Sequence, residues 1–418
     1  MPSEPKIRAI QSCRCCGNQN LVEVLSLGVQ SLTGVFPRTS TEQVSQGPLE
    51  LVKCHGEGNC GLLQLRHSFD ATEMYGRNYG YRSSLNHSMV HHLKSKVVSL
   101  MTLQPIAPGD VVLDIGSNDG TLLSFVPAHA TRIGMDPTIA KFQHFYAPGI
   151  VAVADFFSAK SFFAQSPAKA RLVTSIAMFY DLESPVSFME QVAAVLTDDG
   201  LWHFEQSYMP SMLSQNAYDT ICHEHLEYYA LHQIQWMAAH CGLRILEVEL
   251  NDVNGGSFAV TACKQDAPHI SNLEKINAIL DRERRQGLHE LAIYEEFKNR
   301  VFSHRDHLRE AVCVLTDSGS LLLGYGASTK GNVILQFCGF GPGEIPAIAE
   351  VNEDKFGSFT PGTHIPIISE VEAHARHPDY LLVFPWHFRS NLIDREAAFL
   401  AQGGRMIFPL PSIDIHPS

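Results

Sequence analysis

The chain has 418 residues, more than one hydrophobic core usually holds, so two or three domains are expected. Hydrophobic residues make up 45% and charged residues 18%, and the formal charge of −13 argues against non-specific nucleic-acid binding or docking on an anionic membrane. No apolar run approaches the roughly 20 residues of a membrane span. The start, "MPSEPKIRAIQS", lacks an apolar leader core, so a cytoplasmic protein with no membrane or nucleic-acid partner is expected.

Residues 1–75 show little helical periodicity and many turn residues. A segment this small gains too little from hydrophobic burial to fold unaided. Cys13, Cys15, Cys16, Cys54 and Cys60 all fall within it, while the chain's other cysteines are scattered singly and read as small buried hydrophobes. In a reducing compartment such clustering points to a metal rather than to disulfides. "CRCCG" offers Cys13 and Cys16 as a C-x-x-C knuckle, and "KCHGEGNCGLLQL" offers Cys54 and Cys60 as a second, wider half. Four thiolates around a tetrahedral Zn2+ would staple the lobe. Cys15 and His55 are the alternatives for one ligand.

Residues 76–100, "GRNYGYRSSLNHSMVHHLKSKVVSL", begin polar and aromatic and turn into a helix. From 110 onward strands and helices alternate: "DVVLDIGSNDGTLLSFV", "TRIGMDP", "GIVAVADFF", "ARLVTSIAMFYDL", "GLWHFEQSYM". That alternation predicts a parallel α/β sheet with its ligand at the carboxyl ends of the strands.

"VVLDIGSNDG" is a strand followed by a glycine-bearing turn, in which Asp114, Gly116, Asn118 and Gly120 are the candidate ligand contacts. Such a turn alone is also common as packing. The next strand ends in Asp136, about 20 residues on, where an acid can take both ribose hydroxyls. A third ends in "ADFF", where Asp155 and Phe156 could meet an adenine amine and face. The turn lacks a phosphate-binding lysine, and Asp119 would repel a pyrophosphate. The pocket therefore suits an adenosine without phosphates and with a cation nearby, which is S-adenosylmethionine; a nicotinamide cofactor and a structural turn are the alternatives.

"ICHEHLEYYAL", residues 221–231, is not H-E-x-x-H, so chelation from one helix face is not available. His223 and His225 would share a face only in an extended segment. A second metal site, buried structural histidines, and proton transfer remain as readings. In the last, His225 is a general base whose ring Glu224 orients or whose charge it stabilises. A methyl donor beside a base makes sense for a carbon acceptor, since a carbon beside a ketone must lose a proton before it can attack. Tyr79 or Tyr81 could stabilise the enolate oxygen.

Residues 264–312 carry apolar residues at helical spacing beside charges that read as a solvated face. A second α/β unit opens at "GSLLLGYGASTKGNVILQF", with its next strand near "IPAIAEVNED". Gly324 and Gly326 allow a tight turn, Ser328 and Thr329 bring hydroxyls, Lys330 a positive charge, and Glu350 closes the next strand. This is a better phosphate cradle than the first turn. It suits part of a second ligand such as a nucleotide diphosphate, or else a nucleotide fold kept as scaffold.

With "YGRNYGYRSSLNHSM", "DIGSNDG", "YDTICHEHLEYY", "NGGSF" and "GYGASTKGN" followed by "PGTHIPI", the chain resembles, over nearly its whole length, the sugar C-methyltransferases that act on nucleotide-linked ketosugars in deoxysugar biosynthesis. The resemblance implies an α/β protein of three parts: a zinc-binding lobe at 1–75, a central class I methyltransferase Rossmann-like domain at 76–263, and a helical linker with a second Rossmann-like domain at 264–418. It implies one zinc, S-adenosylmethionine, His225 as base beside Glu224, and Tyr79 near the acceptor. Tyr81, Ser83, His223, Ser328 and Lys330 are then expected to bind the acceptor. Cys222 stands where the family commonly has a tyrosine, Asp181 where it often has a histidine, and Asn254 where H-G-G-S reads N-G-G-S. The expected activity is methylation of C3 of a dTDP- or GDP-linked 4-keto-6-deoxyhexose by a monomer. A nucleotide-sugar oxidoreductase and a non-catalytic nucleotide-sugar binding module are the rivals.

Overall fold

The computed structural model describes residues 7–75 and 81–417. Tyr79 lies outside the described residues.

Seven strands form the central sheet, in the spatial order Leu243–Asn251, Ser257–Lys264, Leu196–Ser207, Ala170–Ile176, Val111–Ile115, Thr131–Met135, Ile150–Val153. Six share one direction, and Ser257–Lys264 runs against its two neighbours. "VVLDI" is buried along its whole length, as an apolar strand in a sheet covered on both faces must be. The chain's direction of travel across the sheet reverses between Val111–Ile115 and Ala170–Ile176, which opens a crevice at their carboxyl ends. Helix His87–Leu103 covers one face with Met89, Leu93, Val97 and Leu100, at helical spacing.

A second sheet has the order Ile367–Ser369, Ile348–Glu350, Leu322–Tyr325, Tyr380–Val383, Arg405–Phe408, Asp414–His416, parallel except for the last strand. The charged stretch before it forms helices Leu273–Arg285 and Ala292–Asp317. Its charges are not all solvated. Glu283 is buried and accepts hydrogen bonds from Tyr208 Oη and from the backbone N–H groups of Leu231 and His232. The carboxylate thus takes orphan donors at the start of helix Leu231–His240.

The amino-terminal lobe is a four-stranded antiparallel sheet: Leu21–Ser31, Gln46–Cys54, Leu63–Leu65 and, from far along the chain, Glu227–Tyr228. The segment around His225 is therefore an edge of the lobe as well as part of the central unit. The lobe is also stitched to helix Thr329–Cys338: Gln336 Oε1 accepts from Ser31 N–H at 2.7 Å, and Asn332 Nδ2 donates to the Thr33 carbonyl at 2.7 Å. One hydrophobic cluster runs through all three sheets.

Candidate functional site

The Sγ atoms of Cys13, Cys16, Cys54 and Cys60 all lie within 4.8 Å of one another, with Cys13–Cys60 at 3.6 Å and Cys16–Cys54 at 3.5 Å. A tetrahedral zinc with Zn–S near 2.3 Å sets its sulfurs about 3.8 Å apart, so the four thiols fit this ion. Asn18 supports the cluster by donating from Nδ2 to Cys54 Sγ at 3.3 Å, the outer-shell bond that tunes a thiolate ligand. Cys15 and His55 stand outside the set of four. Zinc here would cross-link the two halves of the lobe.

At the crevice of the central sheet lies a cavity of about 220 Å³. Asp114, Gly116, Asn118, Asp136 and Phe156 line it, as expected, together with Tyr75, Thr138, Met178 and Asp181. Gly116 has φ +73°, and a Cβ there would come within 2.9 Å of Met178. Asp136 Oδ1 accepts from Thr138 N–H and Oγ1, and its Oδ2 from Asn118 N–H at 3.0 Å. Asp114 accepts from Thr174 Oγ1 at 2.6 Å, and burial pushes its carboxyl up to about 7. Three carboxyl groups and no Lys, Arg or His line this cavity among the described residues. A wall of carboxyl oxygens with no basic side chain offers acceptors to a cationic ligand and no counter-charge to a pyrophosphate.

Two residues expected to contact the cofactor, Gly120 and Asp155, do not line the cavity. Gly120, at φ +77°, points its missing Cβ at the ring of Tyr146, which fills the space under the turn. Asp155 is exposed outside the cavity, its Oδ1 accepting from Phe156 N–H. Two expected acceptor contacts move to the cavity instead: Tyr81 and Ser83 line it. Asn118 holds them there, its Oδ1 accepting from Ser83 N–H and its Nδ2 donating to the Tyr81 carbonyl. Asp119, the residue expected to repel phosphate, caps its own helix through Thr121 and accepts from Ser84 N–H.

A turn at His223–Glu224 sends the two histidines apart. His223 is fully buried against the lobe, with Nε2 facing the Gly47 carbonyl at 3.2 Å and its ring edge-on to Phe69. It lines neither the cavity nor the pocket around His225. Glu224 also turns to the lobe, its Oε2 accepting from Thr33 Oγ1 at 3.4 Å, and burial raises its pKa. The ring of His225 is oriented not by Glu224 but by the Thr220 carbonyl, 2.9 Å from Nδ1. Burial, and then the charge of Lys330, bring His225 down to about 4. Its ring meets that of Tyr180 edge-on at 4.3 Å. The next residue, Asp181, lines the cavity, while Tyr180 and His225 line a separate small pocket with Thr220 and Tyr228, so adjacent residues of one turn wall both spaces.

The second glycine turn is filled by protein. Cβ atoms at Gly326 and Gly331 would meet Pro385 at 2.6 Å and Phe384 at 2.8 Å. Ser328 Oγ accepts from Gly331 N–H and so caps its own helix. Lys330 Nζ donates to the Asn254 carbonyl at 2.8 Å, and Glu350 Oε1 accepts from Val351 and Asn352 N–H. The space beneath this turn is thus taken by Pro385 and Phe384, while Ser328 and Lys330 bond within the protein and stay part-exposed. Trp386 Nε1 donates to Asp219 Oδ2 at 2.8 Å beside Lys330.

Sequence reasoning missed Thr138, Thr174, Tyr75, Tyr146 and Thr220. Tyr75, Tyr146 and Thr174 act through partners distant in sequence, while Thr138 and Thr220 act through local turns onto Asp136 and His225 that carry no motif.

Residues 13–75 match the family model for a proposed zinc binding domain, residues 87–248 one for a methyltransferase domain, and residues 252–411 one described as the C-methyltransferase C-terminal domain. The chain is 32% identical to the C-methyltransferase NovU of Streptomyces niveus over 410 residues, 97% of this chain and 96% of that one. Among solved structures it is similar to the plantazolicin methyltransferase BpumL in complex with SAH, at 12% identity and TM-score 0.35, over 42% of this chain and 84% of that one. It is also similar to a S-adenosylmethionine-dependent methyltransferase from Clostridium acetobutylicum, at 11% identity and TM-score 0.33, over 42% and 92%.

Proposed function

Since the chain belongs to the C-methyltransferase family, we propose that it moves the methyl group of S-adenosylmethionine to C3 of a nucleotide-linked 4-keto-6-deoxyhexose, the nucleotide being dTDP or GDP. The observation that carries this reading is the shared turn: Asp181 lines a cavity suited to a cationic donor, and the adjacent Tyr180 packs on His225. The cavity supplies the donor site, with Asp136 at the ribose position and Phe156 exposed on its rim.

His225 then acts as base. With Nδ1–H on the Thr220 carbonyl, Nε2 holds the lone pair that takes the proton from the carbon beside the ketone. The electron pair left behind becomes an enolate, and its carbon attacks the sulfonium methyl. Lys330 sits close enough to act on both His225 and Asp219, and a positive charge there supports an anionic acceptor. Glu224 contributes by holding the His225 segment to Thr33 of the lobe. The ten cysteines form no disulfide, which agrees with a cytoplasmic enzyme; among the described residues no helix is long and apolar enough to cross a membrane.

The test is incubation with S-adenosylmethionine and each nucleotide-linked ketosugar, in deuterated water. The sugar should gain one carbon-bound methyl, and the ring proton beside the ketone should exchange with solvent. Methylation on oxygen, or no exchange with any acceptor, would overturn the reading. A binding comparison of S-adenosylhomocysteine with NAD(H) separates it from an oxidoreductase.

A further inference from the structure

Asp181 takes no part in the scheme above, yet it lines the donor cavity and is next in sequence to Tyr180, whose ring packs on His225. It ends the turn Phe179–Asp181, which follows strand Ala170–Ile176. Its side chain lines the donor cavity. Tyr75, another lining residue, donates to Asp181 Oδ2 at 2.9 Å. Oδ1 is buried and has no hydrogen-bond partner among the described residues. A buried carboxyl oxygen without a partner calls for a ligand or for a proton of its own.

The surroundings decide which. The groups acting on Asp181 are Tyr75, which hydrogen-bonds to it, and Glu224, another acid. Asp181 in turn acts on Cys222, Glu227 and Tyr228, none of them a cation. Burial therefore dominates and holds the carboxyl well above the usual carboxylate range, further raised by Glu224 and only partly offset by Tyr75. Burial thus biases Asp181 toward its protonated form, in which it is a hydrogen-bond donor.

We propose that Asp181 is a further catalytic residue, donating from its unpartnered carboxyl oxygen to the acceptor's ketone oxygen while His225 takes the proton from the neighbouring carbon. This rests on the carbon-methylation reading given above. The balance is simple. The C–H pair moves into the carbon framework as the proton goes to His225 Nε2, and negative charge gathers on the ketone oxygen, where the Asp181 O–H meets it. When the carbon attacks the methyl, the C=O reforms, the sulfonium pair leaves with sulfur, and Asp181 retains its proton. His225 releases its own proton to solvent. A donor fixed where charge develops is stabilising only in the enolate and the transition states beside it.

The experiment compares wild type, Asp181→Asn and Asp181→Ala for deuterium exchange at the acceptor carbon, for S-adenosylhomocysteine affinity and for rate against pH. Asparagine keeps a neutral donor, so Asp181→Asn should lose no more than about tenfold in exchange, whereas Asp181→Ala should lose on the order of 100-fold or more. Both should bind S-adenosylhomocysteine as wild type does. Wild type should lose rate on the alkaline side as Asp181 gives up its proton, and that limb should vanish in Asp181→Asn. Should alanine prove unfolded, the pH profile of Asp181→Asn decides alone. The proposal is overturned by an Asp181→Asn variant as inert as alanine, by an unimpaired alanine variant, by an alkaline limb that persists in Asp181→Asn, or by loss of cofactor affinity. Absence of exchange in wild type itself would instead overturn the methylation reading on which it rests.

Discussion

The Nδ1 atom of His225 stands 2.9 Å from the carbonyl oxygen of Thr220. A carbonyl has no proton to give, so Nδ1 carries the hydrogen and Nε2 the lone pair: the ring is held in one tautomer. Burial first, and Lys330 next, bring its pKa to about 4. A base works in its deprotonated form, so activity should rise as pH increases through about 4 and hold at neutral pH. His225→Asn should cut solvent exchange at the acceptor carbon by about 100-fold or more while leaving S-adenosylhomocysteine affinity unchanged. Full exchange in that variant would remove the base.

The acid limb offers a second check. Lys330 disfavours the protonated imidazole, so Lys330→Met should move that limb upward by roughly half a pH unit to one unit. A limb that stays in place would mean that Lys330 does not act on His225.

Gly34 and Glu224 are in close apposition, and a Cβ at Gly34 would overlap Glu224 Oε1. Gly34→Ala must therefore push Glu224 off its Thr33 contact or move the lobe, at about 1–3 kcal/mol. The expected result is a lower melting temperature and slower methyl transfer, with donor binding intact. Isothermal titration beside a thermal melt reads both.

Strand Glu227–Tyr228 is hydrogen-bonded into the lobe's sheet beside Leu63–Leu65. Metal removal should thus reach the base. Purified protein should hold one zinc per chain, Cys54→Ser should lose it, and chelation should slow methyl transfer while S-adenosylhomocysteine still binds. Elemental analysis and titration calorimetry give the two readouts. Wild-type turnover in zinc-free protein would show that the lobe does not support the His225 segment.

Glu205 accepts from His92 Nε2 at 2.6 Å, from Asn251 Nδ2 at 2.9 Å, and pairs with Lys96 at 3.1 Å. Burial opposes its charge, but His92 and Lys96 outweigh burial and hold the carboxyl at about 2. Its folded pKa is depressed, so the stabilisation is present above the ordinary glutamate range and is lost as pH falls through the 4s toward 2. The amount is on the order of 3 kcal/mol. Glu205→Gln should lower stability at pH 7 by about 2 kcal/mol and flatten its fall in acid, as denaturant melts at several pH values would report.

"DIGSNDG" and "CRCCG" announce their chemistry because the residues that act together are neighbours in the chain. Asp136 was legible as well, since parallel strands place their carboxyl ends side by side at a predictable interval. His223 and Glu224 were not: one turn, invisible in "ICHEHLEYYAL", aims them at Gly47 and Thr33 of the lobe and leaves His225 with Thr220. Gly120 and Gly326 look like ligand-cradling glycines, yet Tyr146 and Pro385 occupy the space their missing side chains leave.

By itself, then, the sequence determined the four thiols, the donor turn with its acid on the following strand, the alternating α/β order and a candidate base. These are short-range matters of spacing and periodicity, and chain geometry alone carries them. Only the tertiary structure decided which carbonyl sets the tautomer of His225, that Asp181 lines the cavity while the adjacent Tyr180 packs on His225, that strand Glu227–Tyr228 ties the His225 segment to the lobe, and that Pro385 and Phe384 fill the space beneath the second glycine turn. Apart from the Thr220–His225 bond, which a turn makes over five positions, those are contacts between residues tens of positions or more apart, and burial brings them together without leaving a mark on local sequence.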